Sequence, residues 1–189
     1  MITTHRSPPN RAESPPDNRR DDRLLLWAST FFAVAVLIHN SDHARRGANS
    51  VGRDVFWIGT AAIAIEVGVV VFALQRHRLA PLVAAAVGLS LAPAYVFVHF
   101  LPRRSWLSDS FTSGTDVSPL SWIAASVEIV AAATLGVAGL VALRRRGGLV
   151  SATRPNLEQT SLRTAILHPV ALAMIIGNVA IVAISAGQL

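Results

Sequence analysis

Cysteine is absent from this 189-residue chain. Disulfides, thiolate metal sites and cysteine nucleophiles are therefore excluded. Lysine is absent too, so all 17 basic residues are arginine. That removes Schiff-base chemistry and a phosphate-loop lysine. Charge of either sign is scarce: charged residues make up 15% of the chain and hydrophobic ones 52%. The charges cluster at 1–23, 42–54, 76–78, 103–116 and 144–163. No glycine-rich phosphate loop, DDxxD-like acidic run, Ser–His–Asp ordering or basic aromatic surface is visible. The net charge of +6 comes from arginines that flank apolar runs. Such placement follows membrane topology, and no nucleic-acid partner is expected.

What is present between the charge clusters is apolar. Five long stretches are too many for a chain of this size to hide in a soluble core. The expected fold is all-α, a polytopic integral membrane bundle of five transmembrane helices at about 24–43, 55–74, 79–101, 119–143 and 164–187. Residues 1–23 are polar and proline-rich, and read as a disordered cytoplasmic tail. The first span poses a question. Leu24–Ile38 is about 22 Å of helix, short of the roughly 30 Å of hydrocarbon. The helix should therefore run on through His39, Asn40, Ser41, Asp42 and His43, with the polar groups turned inward. Arginines favour a cytoplasmic N-terminus and an outer C-terminus in a bacterial plasma membrane.

Residues 24–78 and 79–146 resemble two copies of one hairpin. Both first spans end in His followed by an arginine pair, Arg45–Arg46 and Arg103–Arg104. Both second spans open with Trp-Ile and carry one acid, Glu66 or Glu128. The final span would be an extra helix.

These acids lie amid apolar residues, where an isolated carboxylate is costly. Glu66 and Glu128 are candidate acid/base groups, proton carriers or metal ligands. The bland alternative is a protonated glutamate that ties two helices. His39, Asp42, His43 and His99 are candidate metal ligands near the outer face. Two histidines four apart share one helix face and suit zinc, copper or iron. "HNSDH" lacks the glutamate of the zincin motif. His39 and His99 are alternatively axial ligands of a haem, or partners of the glutamates in a proton relay. An interfacial cluster in which Asp42 pairs with Arg45 or Arg46 is the plain reading. Asp109 and Asp116 are further candidate ligands of the outer site, although nothing in their spacing requires it.

Lesser features carry structural expectations. Trp106 and Phe111 read as interface anchors. His77 reads as a solvated turn residue, and His168–Pro169 as a kink. Asn178 should bond across helices. Ala84, Gly88 and Ala92, and Ala132, Gly136 and Leu140, form small-residue packing stripes.

Three functions fit this pattern. The first is a small membrane protein that binds a divalent metal ion or haem, or relays protons. The second is an enzyme acting on a lipid or isoprenoid-like substrate. The third is a structural or accessory member of a membrane complex, with other membrane subunits and the lipid bilayer as partners. In residue types and span number the chain resembles the sterol-isomerase type of membrane fold. No motif of that family is matched and no residue carries over.

Overall fold

The computed structural model describes residues 18–47, 52–102, 108–113, 116–148 and 160–186. The elements are helices α1 (Asn18–Arg46), α2 (Arg53–Leu74), α3 (Ala80–Tyr95) with a π-helical turn (Val96–Phe100), α4 (Pro119–Arg145), α5 (Leu162–Ile166) and α6 (Pro169–Ala186). No strand occurs among the described residues. Among the described residues four helices, α1, α2, α3 with its π turn, and α4, are long and apolar enough to cross a membrane.

Helix α1 does not stop at Ile38. It carries His39 to His43 as helix and ends at Arg46. It also begins earlier than expected. Asn18 to Arg23, assigned above to the tail, belong to α1, and residues 1–17 lie outside the described set. Asp21 and Asp22 lie near its N-terminus, where carboxylates suit the helix dipole. They reach α4: Asp21 Oδ1 is 3.4 Å from Arg145 Nη1, and Asp22 Oδ1 is 2.6 Å from Arg146 Nη2. Phe32, Ala35 and Val36 point into the core while Trp27, Phe31 and Val34 point outward. Large apolar side chains on the outer face are the pattern of a bundle apolar enough to sit in hydrocarbon.

The small-residue stripes meet face to face. A methyl group on Gly88 would stand 2.4 Å from the Gly136 nitrogen, and one on Gly139 would stand 2.4 Å from the Ala85 nitrogen. Both obstacles are backbone, which cannot swing aside. Gly88→Ala or Gly139→Ala should therefore lower stability by about 1–3 kcal/mol. Denaturant unfolding of the purified protein in mixed micelles checks this, and unchanged stability would contradict the close approach.

The last apolar stretch is not one continuous span. It divides into α5 and α6 at Leu167–His168. Pro169 has no N–H to give the preceding turn, and its ring clashes with that turn's carbonyl. It opens α6 instead, a position where its missing donor costs nothing. His168 Nδ1 accepts the Val170 N–H at 3.3 Å. The expected kink is thus a break, and α6 has 18 residues, about 27 Å. Gly187, the expected end of this span, lies outside the described residues. Asn178 is buried on α6 and accepts the Asn40 side-chain N–H at 2.7 Å, tying α6 to α1.

The two hairpins are not packed alike. Helices α3 and α4 lie in backbone contact along their glycines, whereas no such contact joins α1 to α2. The packing lends no support to a duplication, and Arg103–Arg104 lie outside the described residues.

Candidate metal centre

Two elements bring the three histidines together. His39 and His43 sit one turn apart on α1. His99 comes from the π turn after α3. Pro93 removes a hydrogen bond within α3, and the wider turn that follows rotates His99 onto the bundle interior, where it is buried. π turns of this kind often mark functional positions. One ring nitrogen from each of the three histidines falls within 4.8 Å of the others. His39 Nε2 and His43 Nε2 are 3.0 Å apart. The His39 and His99 rings touch edge to face, with centroids 4.7 Å apart.

A charged frame surrounds the rings. Arg46 grips Asp109 with both arms, Nη1–Oδ1 at 3.2 Å and Nη2–Oδ2 at 2.7 Å. Its Nε lies 3.3 Å from Asp42 Oδ2. All three side chains are 5% exposed or less, so this is a buried, forked ion pair. Burial alone would raise the Asp109 carboxyl. Hydrogen bonds from His99 and Arg46 outweigh it and hold the group below the ordinary carboxylate range. Phe111 donates its backbone N–H to the His99 carbonyl at 2.8 Å, which fastens the 108–113 segment over the cluster.

These contacts set the proton positions. His99 Nδ1 faces two acceptors, the Asp109 carbonyl at 3.3 Å and Oδ2 at 3.4 Å, so it carries the proton. In that tautomer of the neutral ring the lone pair lies on Nε2. His43 Nδ1 receives the Arg46 guanidinium at 2.8 Å, so the His43 proton lies on Nε2 and points at His39 Nε2. His39 is left with its proton on Nδ1, a buried atom with no hydrogen-bond partner.

Glu128 lies just inside the cluster, with Oε2 3.5 Å from His39 Nε2 and otherwise unpartnered. Glu66 accepts the Tyr95 hydroxyl on Oε1, and its Oε2 is buried and unpartnered. Both glutamates line one cavity of about 410 Å³ together with the three histidines.

The sequence-derived candidates therefore divide. His39, His43 and His99 converge, with Glu128 beside them and Glu66 below. Asp42 does not join them as a ligand. Arg45 and Arg46, three and four residues along the same helix, hold its two oxygens at 2.8 Å and 3.3 Å. Phe111 is not an interface anchor but is buried against His99, Phe100 and Trp122. Trp106 lies outside the described residues, and Asp116 is exposed. His77 is half-buried at the α2–α3 turn, where burial and Arg78 lower its pKa. Sequence reasoning missed Tyr95 and the role of Arg46. Tyr95 is the sole tyrosine in the chain and stands one turn before His99, which was a usable signal. Nothing local marks Arg46 as the partner of Asp109.

Comparison with protein-family models, curated proteins and solved structures finds no match for this chain. The functional reading rests on geometry.

Proposed function

We propose that this chain is a membrane protein holding one divalent transition-metal ion, of the zinc class, in a three-histidine site. The observation that carries the reading is the convergence of His39, His43 and His99 with Asp109 behind two of them. Nitrogens on a tetrahedral zinc stand roughly 3.3 Å apart, given bonds of 2.0–2.1 Å. The 3.0 Å between His39 Nε2 and His43 Nε2 is close to that spacing. A carboxylate on the far nitrogen of a ligating imidazole is the usual device for fixing its tautomer, and Asp109 Oδ2 lies 3.4 Å from His99 Nδ1 and 3.8 Å from His43 Nδ1.

Were the ion held at His43 Nε2, the ring proton would move to Nδ1, which would have to give up the Arg46 Nη2 donor 2.8 Å away and turn to Asp109 Oδ2, 3.8 Å away. Three protein nitrogens leave a fourth position, the pattern of catalytic rather than structural zinc. Glu128, on the cavity and 3.5 Å from His39 Nε2, would be the group to take a proton from a water held by such an ion. A haem between His39 and His99 is disfavoured, because the touching rings leave no slot for a flat macrocycle. The arginine distribution supports a cytoplasmic N-terminus, which puts the site at the outer side of a bacterial plasma membrane.

Titration of the purified full chain with cobalt(II), followed by visible absorption, tests the reading. Saturation near one equivalent, with the intense bands of a tetrahedral site, is expected. Absence of saturable binding would refute it. Asp109→Asn should bind cobalt about 10–100-fold more weakly with its stoichiometry unchanged.

A further inference from the structure

Below the histidines the cavity changes character. Its walls are hydrocarbon: Ile58, Ala62 and Ile63 from α2, Leu91 and Ala94 from α3, Val182 from α6. Its volume of about 410 Å³ lies in the ~300–1,000 Å³ range of small-molecule sites. It is not sealed. Ile58, Gly59, Ala94 and Phe97 line it and are exposed on the side of the bundle. These residues lie within helices apolar enough to cross a membrane, so the mouth opens onto acyl chains and not onto water. A methyl group built on Gly59 meets nothing within 4 Å.

Polar atoms inside this apolar space are few, and two carboxyl oxygens among them are unsatisfied. Glu66 Oε2 and Glu128 Oε2 are buried without hydrogen-bond partners. A buried polar atom without a partner costs free energy, and native proteins rarely tolerate one. Two such carboxyl oxygens on one cavity, beside a histidine cluster, call for a ligand with a polar end. The hydrocarbon walls and the side opening call for a ligand with an apolar remainder that travels in the bilayer.

We infer that the cavity binds a single-chain amphiphile, with an oxygen-bearing head beneath the histidine cluster and its hydrocarbon chain lying between α2, α3 and α6. The chain enters sideways, between α2 and α3, from the leaflet at the histidine end. The head meets Glu128 and Glu66, with the Tyr95 hydroxyl already directed onto Glu66. Recognition of the head rests on the metal reading above. Seating of the chain does not, because the walls and the opening exist without the ion.

Radiolabelled dodecanoic acid is the probe, with the full chain in phospholipid nanodiscs, zinc-loaded and after chelation. Saturable one-site binding is expected, tighter with zinc than without. Gly59→Leu, whose Cβ meets nothing within 4 Å, adds bulk at the mouth and should weaken binding by roughly tenfold or more, while zinc stoichiometry stays as in the wild type. Ala62→Leu, one turn deeper, should do the same and serves if the first variant folds poorly. Non-saturable partitioning, or wild-type affinity in both folded variants, overturns the inference. Saturable binding lost in both variants, in a protein that takes up no zinc, upholds the chain site and rejects the metal site. Stoichiometric zinc with no saturable chain binding does the reverse.

Discussion

His39→Ala is expected to weaken metal binding by more than about 100-fold. Loss of a group that merely orients a ligand typically costs 10–100-fold, and loss of a ligand should exceed that. His39 is the most central of the three rings, touching both His43 and His99 and standing next to Glu128. Its removal leaves two nitrogens on opposite sides of a hole, too few for a stable zinc site. Cobalt titration of the variant provides the measurement, with His168→Ala as the control. His168 is exposed in the turn before α6, so its loss should leave the affinity unchanged. Equal affinities in the two variants would mean that the histidine cluster is not where the ion sits.

Arg46→Ala should be the most destabilising substitution near the site, at about 3–5 kcal/mol. Arg46 holds Asp109 with two hydrogen bonds and also faces Asp42. Asp42 keeps a second partner in Arg45, whose side chain is 44% exposed. Among the described residues Asp109 keeps the His99 and His43 rings, at 5% exposure. A buried carboxylate without its cation accounts for most of the expected loss. A metal ion within reach of the same histidines restores part of the missing positive charge. Saturating zinc should therefore stabilise Arg46→Ala by more than it stabilises the wild type, beyond the ordinary gain from ligand binding. Thermal unfolding of both proteins, with and without zinc, makes the comparison. Equal zinc gains would show that the ion and Asp109 do not communicate.

The class of the protein was legible in the chain because hydrocarbon length is a local quantity. Apolar runs bounded by arginines can be counted against the bilayer, and the counting also showed that α1 must continue past Ile38. Pairing His39 with His43 needed only the helical repeat. Glu66 and Glu128 were conspicuous because each stands alone in an apolar run, where lipid is a poor neighbour. The division at Pro169 was foreshadowed as a kink, since a proline that cannot continue a helix is visible in the chain.

Other features were not local. That His99 joins His39 follows from the π turn after Pro93, which rotates the ring by an amount no spacing rule encodes. That Asp109 rather than Asp42 stands behind the imidazoles was settled by competition. Two arginines on the same helix captured Asp42, and the segment fastened by Phe111 delivered Asp109 to the vacant side. The cavity, too, is a property of helices that stand apart. Gly88, Gly136 and Gly139 draw α3 onto α4, leaving α2 less tightly joined and a mouth between α2 and α3. Residue types and periodicity thus determined the long apolar helices and the chemistry on offer. Packing decided which groups meet, because contact between distant segments depends on close approach of whole helices and not on the identity of neighbours along the chain.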